Sequence, residues 1–330
     1  MGMENGSIRV AIIGAEDTLN LDAVQAYLLP FSDLVVVDTV DVRYSTPSLS
    51  TLLDYDAVLV FSDYAFFDAV ALGDVLADYV DAGGGVVLAT FVWYGTGFSL
   101  QGRIMTDYSP FVRAGDSLYA NATLGSYNAS HPIMEGVTAI KGYFRDNVAL
   151  TTDAELVAEW SDGYPFVATK GHVVGMTLFP PPWNGTAQEW TGDVPTLVHN
   201  ALLWSVPERV LELVPNTGFA STTIVGSGFV PNSKITITWD GTPIPTVPQP
   251  TTTDVDGNFT AIISVPTQTA LGAHVVNATD EYGRSAWATF TVVNMTGPAG
   301  EVPLAYVAAP ACLAVLAIII AVFAMIRKKP

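Results

Sequence analysis

The chain opens as short apolar runs separated by turn residues. Ile8–Ile13 (IRVAII) ends at Gly14 and reads as a strand buried on both faces. Leu21–Leu29 follows with helical spacing, and the β-branched Leu34–Val42 predicts a second strand. Ala57–Phe61 (AVLVF) predicts a third. Val75, Leu76, Tyr79 and Val80 then share one face of a helix, which Gly83-Gly84-Gly85 stops. Val86–Phe91 (VVLATF) predicts a fourth strand; Leu156–Trp160, Phe166–Thr169 and Val173–Leu178 predict more, and Pro195–Ser205 a closing helix. Strands alternating with helices imply a parallel sheet with right-handed crossovers over residues 1–206, with 95–135 as a loop insertion.

The texture changes after Pro207. Lys234–Trp239, Phe259–Val265 and Ala286–Val292 alternate with period two, punctuated by Asp240-Gly241, Asp256-Gly257 and Tyr282-Gly283. Short strands at this spacing predict an all-β sandwich over 207–294, with a core drawn from Ile235, Ile237, Phe259, Ile262, Val275 and Phe290. Asp254-x-Asp256-Gly257-Asn258 has a calcium-loop flavour. It lacks the spacing and terminal Glu of such a loop and reads as a hairpin turn. Residues 295–302 would be a short stalk. The uncharged stretch 303–326 would be about 36 Å long as a helix, enough for a bilayer core of about 30 Å. Arg327, Lys328 and Lys329 in the tail 327–330 would place that end in the cytoplasm and residues 1–302 outside, so the lipid bilayer is an expected partner.

Charge and composition narrow the function. Thirteen Lys and Arg against 32 Asp and Glu give a net charge of −19, which argues against a nucleic-acid partner. Cys312 is the only cysteine, so no disulfide or cysteine-based metal centre forms within one chain. The four His show no HxH or HExxH spacing, and neither a metal nor a cofactor is expected. Seven of twelve Asn begin an N-x-[ST] sequon, whereas chance predicts about two. Asn121, Asn128, Asn184, Asn258, Asn277 and Asn294 are the candidate glycosylation sites, with Asn5 the seventh. The start, MGMENGSIRVAIIG, lacks the basic and long apolar regions of a signal peptide, in tension with an exterior location.

The phrases DYDAVLVFSDYAFFDAVALGDVLADYVDAGGGVVLATF, SHPIMEGV, PFVATKGHVVGMTLFPPP and NALLWS resemble the class I glutamine amidotransferase-like superfamily, on its trehalose-utilisation-protein-like side. The resemblance implies a flavodoxin-like three-layer α/β/α sandwich. The phrases TTIVGSGFVPNSKITITWDGTPI and GAHVVNATDEYGRSAWATFTVV resemble immunoglobulin-like IPT/TIG-type repeats of archaeal and bacterial surface proteins. The overall expectation is a multi-domain chain: α/β sandwich, all-β immunoglobulin-like sandwich, then one transmembrane helix.

Glutamine-hydrolysing relatives carry a Cys nucleophile on the turn after the strand matching Val86–Phe91. Here that turn reads Phe91-Val92-Trp93-Tyr94-Gly95, with no Cys and no G-x-S-x-G elbow. His131, His172 and His199 have no evident nucleophile to serve. Ligands of open α/β sheets bind at the C-terminal strand ends. Those ends display Glu16, Asp17, Asp63, Tyr64, Trp93 and Tyr94, with Trp183 in nearby loop sequence. Carboxylates beside aromatic faces suit sugar rings. The reading is a cell-surface protein whose non-catalytic amidotransferase-like domain binds a glycan, an envelope component or a partner protein. The alternatives are a carbohydrate hydrolase using sheet-edge carboxylates such as Asp63 and Glu16, and a structural envelope subunit.

Overall fold

The computed structural model describes residues 7–95, 97–182 and 189–294. Its first part runs β1 (Ile8–Ala15), α1 (Thr18–Leu28), β2 (Leu34–Asp41), the single turn α2 (Leu49–Leu52), β3 (Ala57–Ser62), α3 (Ala69–Asp81) and β4 (Gly85–Ala89). A π-helical turn at Ile104–Tyr108 leads to β5 (Phe111–Arg113), β6 (Leu118–Tyr127), β7 (Ile140–Arg145), β8 (Val148–Leu150), β9 (Glu155–Trp160), β10 (Pro165–Lys170), β11 (Val173–Met176), β12 (Trp190–Gly192) and α4 (Val194–Ser205).

Ten strands form one sheet in the order β12-β7-β6-β9-β10-β11-β4-β3-β1-β2, while β5 and β8 pair separately. The strands β2, β1, β3, β4 and β11 run parallel. From β11 to β12 every pairing is antiparallel. This corrects the expected flavodoxin-like three-layer sandwich: the sheet is mixed, and only α1, α3 and α4 exceed one turn of α-helix among the described residues. The cause lies in the connections. The β9–β10 turn closes with the Gly163 amide donating to the Trp160 carbonyl at 2.9 Å. Two residues, Gly171 and His172, join β10 to β11, and Gly171 takes φ +56°. Such turns leave no room for a crossover helix and dictate antiparallel pairing.

Both faces of the parallel half are covered. Leu21, Val24 and Leu28 of α1 and Leu197, Val198, Ala201 and Leu202 of α4 are buried on one face. Leu72, Leu76, Ala77 and Tyr79 of α3 are buried on the other. Fully covered strands need apolar side chains at every position, which is why AVLVF and VVLA carry no alternation.

Where the sequence predicts an immunoglobulin-like sandwich, residues 210–292 form two unequal sheets. The strands are β13 (Val210–Val214), β14 (Thr217–Gly218), β15 (Ser221–Ser227), β16 (Lys234–Trp239), β17 (Thr242–Pro243), β18 (Thr251–Thr252), β19 (Phe259–Ser264), β20 (Gly272–Asp280) and β21 (Ser285–Val292). One sheet is β13-β15-β19; the other is β14-β21-β20-β16-β17, with β18 on β16 and β14 parallel to β21. Ile224, Ile237, Phe259, Ile263 and Phe290 fill the core. Ile262 and Val275 instead face outward, because strand parity turns Phe259, Ala261 and Ile263 inward together. The Asp254 carboxylate accepts the amides of Asp256 and Asn258 at 2.9 Å each, a local turn.

The two parts are pinned together. Arg284 donates to the carbonyls of Ala82, Gly83 and Tyr55 at 3.0, 3.1 and 3.2 Å, and Arg209 pairs with Asp56 at 3.1 Å. Val230 is buried in the α3-side core of the large sheet.

No helix among the described residues is long and apolar enough to cross a membrane. The expected transmembrane helix therefore has no counterpart among them. The stretch 303–326, the stalk 295–302 and the tail 327–330 lie outside the described residues.

Candidate functional site

The C-terminal ends of β1 and β3 meet above the parallel half of the sheet. The amides of Asp63 and Tyr64 both donate to the Ala15 carbonyl, at 3.0 and 2.9 Å, which fixes the bend after β3 beside the bend after β1. The loop after β4 is held against them by Ser62, whose hydroxyl donates to the Phe98 carbonyl at 3.1 Å. From the antiparallel half, β6 contributes Tyr119. Between these elements lies a cavity of about 100 Å³ lined by Asp63, Phe91, Tyr94, Phe98 and Tyr119. Its aromatic walls meet mostly edge to face: Phe91 and Tyr94 have centroids 5.5 Å apart at 77°, and Tyr94 and Phe98 5.8 Å apart at 87°. Phe91 and Tyr119 lie 6.2 Å apart at 35°.

Two buried glutamates lie within the electrostatic reach of Asp63. Asp63 lines the cavity and is exposed, and its carboxyl is pushed up by desolvation and by the charge of Asp17. Glu16 is buried, with one oxygen accepting the Asp17 amide at 2.7 Å and the other without a partner among the described residues. Burial, reinforced by the charge of Asp63, pushes its carboxyl up to about 7. Glu189, buried just ahead of β12, also has one unpartnered oxygen, and burial plus the charge of Asp63 pushes it up to about 7. Asp146 is pushed up to about 6 by burial; it accepts from the Ser117 hydroxyl at 2.6 Å and from the Trp93 amide at 3.3 Å. A carboxyl taken out of water keeps its proton longer unless a cation or several donors hold the charged form. Among the described residues no group of three or more His, Cys, Asp or Glu is placed to hold a metal ion.

Beside the cavity lies a second aromatic platform. The Arg43 guanidinium sits 5.2 Å from the Tyr44 ring and 5.1 Å from the Tyr64 ring. It is held by Asp17 at 2.7 Å and Asp41 at 2.8 Å, and Tyr64 donates to Asp17 at 3.0 Å. The Arg43 bond, then the Tyr64 bond, keep the Asp17 carboxyl below its usual range.

Of the residues singled out from the sequence, Asp63 and Tyr94 line the cavity. Glu16 lies buried within the field of Asp63, and Asp17 and Tyr64 form part of the platform. Trp93 points elsewhere: it is buried with Phe111, its indole donating to the Ser109 hydroxyl at 3.1 Å and the Phe111 carbonyl at 3.2 Å. Trp183 lies outside the described residues. Phe91 and Tyr119 also line the cavity, although the sequence pattern does not single them out. Their only signal is an aromatic residue near a strand end, and Tyr119 reaches the cavity only through the fold-back of β6, which no local pattern announces.

Among the sequons, Asn121, Asn128 and Asn294 are exposed, and Asn258 and Asn277 are half-buried. Asn5 and Asn184 lie outside the described residues. His199 pairs with Asp33 at 2.9 Å and stacks on Phe31, and His131 caps a 3₁₀ turn, its Nδ1 accepting the Ile133 amide at 3.2 Å.

No family model and no curated protein matches this chain. Among solved structures, a cytoplasmic protein of Salmonella typhimurium is similar at 15% identity, covering 60% of this chain and 99% of its own, with a TM-score of 0.48. A ThuA-like protein from Bacteroides uniformis is similar at 13% identity, covering 62% and 94%, with a TM-score of 0.46. A glutamine amidotransferase from Thermotoga maritima is similar at 11% identity, covering 53% and 76%, with a TM-score of 0.37. At these TM-scores the likeness bears on neither activity nor ligand.

Proposed function

We propose that this protein is a binding module whose sheet-edge cavity takes one end of a glycan or glycan-like envelope component. The observation that carries this reading is the cavity itself: four aromatic rings around one solvent-facing carboxylate, Asp63, between bends tied at the Ala15 carbonyl. Ring faces stack on the C–H face of a sugar while a carboxylate accepts its hydroxyls. Arg43, Tyr44 and Tyr64 extend the aromatic surface beyond the cavity and suit a longer ligand. Glu16 and Glu189 are buried, so Asp63 is the carboxylate able to touch a ligand there, which favours binding over a two-carboxylate hydrolysis. Calorimetric titration with methyl glycosides and short oligosaccharides tests it. Asp63→Asn and Tyr119→Ala are each expected to weaken binding about tenfold. A wild-type protein blind to every glycan tried sinks the reading.

We further propose that the module works outside the cell, supported by the exposure of Asn121, Asn128 and Asn294. Protein from the native host is expected to lose mass on deglycosylation, with Asn121→Gln and Asn128→Gln each removing one step. An unmodified mass argues against the exterior location.

A further inference from the structure

We infer that the aromatic cavity is a cage for an alkylated ammonium group carried by the ligand. This rests on the reading that the cavity is a ligand site and specifies its chemistry. Size is the first argument. The cavity holds about 100 Å³, against roughly 300–1,000 Å³ for sites that enclose a whole drug-sized ligand. It therefore accepts a headgroup, while the rest of the ligand lies outside, along the Tyr64 and Tyr44 platform.

Wall geometry is the second. Phe91, Tyr94, Phe98 and Tyr119 line one cavity, and two of the ring pairs meet near right angles, so rings in different orientations surround one small volume. A ring face is the negative lobe of the aromatic quadrupole, and several faces around one small volume attract a cation.

Charge is the third. Asp63 lines the cavity and is exposed, and the other lining residues carry no formal charge. The nearby cations are committed elsewhere. Arg43 is bonded to Asp17 and Asp41, and Arg113 to Asp116 and the Tyr94 carbonyl. An anionic ligand would be repelled by Asp63, and a cationic group is drawn to it. A metal ion is disfavoured because the acids are not grouped as a ligand set among the described residues. A primary ammonium needs three acceptors, whereas an alkylated one presents C–H surface to rings and needs only the field.

Tetramethylammonium and tert-butanol, near-isosteres that differ in charge, form the test. Saturation-transfer NMR and titration on the wild-type chain are expected to show tetramethylammonium binding at least tenfold tighter than tert-butanol. Tyr119→Ala and Asp63→Asn should each lower its affinity about tenfold. Equal binding of the two probes, or no binding of tetramethylammonium, overturns the inference without any variant having to fold. Methyl glycosides are titrated in parallel. Glycosides that bind while tetramethylammonium does not sink the cage alone. Silence from both probes and glycosides sinks the cage and the proposed function together.

Discussion

At the scale of single residues, burial without a partner sets the chemistry. Glu16 and Glu189 both sit near 7 instead of the ordinary 4.5, because desolvation and the charge of Asp63 oppose ionisation. The sign of the consequence follows from linkage. The folded chain keeps protons that the unfolded chain has released, so stability falls as pH rises from about 4.5 through 7. Glu16→Gln removes one such group, and its urea midpoint minus that of wild type is expected to grow more positive from pH 5 to pH 7. A flat difference would contradict the burial argument. A second residue-scale test concerns Trp160, whose buried indole donates to the Thr177 hydroxyl at 2.9 Å. Thr177→Val strands that donor and is expected to cost about 1–3 kcal/mol in chemical denaturation. Asp63 and Tyr94, which the sequence puts just past strand ends, line the cavity, whereas Trp93 beside Tyr94 is buried away from it, because past the strand end parity no longer says which way a side chain turns.

At the scale of elements, close packing of α3 shapes the site from below. A Cβ on Gly73 would fall 1.7 Å from the Gln101 carbonyl oxygen, a backbone atom in the segment that follows Phe98. Gly73→Ala must push that segment away, at an expected cost of about 1–3 kcal/mol, and should also weaken ligand binding through Phe98. Denaturation midpoints and titration check both effects; an unchanged variant would mean that the contact is slack. The strands that escaped sequence reasoning share a physical cause. β6 is mostly exposed or half-buried, so LYANATLGSY carries almost no hydrophobic period. β12 is three residues long and gains its place only by pairing with β7. β1, β3 and β4 were plain because every position is covered, apart from Arg9 in β1.

At the scale of the whole molecule, the junction decides whether the two parts behave as one. Arg284 holds three carbonyls of the large-sheet part, and Arg209 pairs with Asp56, itself bonded to the Arg9 amide at 2.9 Å. Arg284→Ala is expected to remove about 2 kcal/mol of coupling and to split a single calorimetric transition into two. One unaltered transition would assign the coupling to the apolar contact at Val230. The local order of residues was enough for the apolar strands, the helices α3 and α4 and the change of texture after Pro207, because burial and period act over a few neighbours. It was not enough for the mixed sheet, since a fully buried strand reads alike in either direction and short turns outrank the crossover rule. Nor was it enough for the cavity. Asp63, Phe91 and Tyr119 stand far apart along the chain, and they share one volume only because ten strands stack into one sheet.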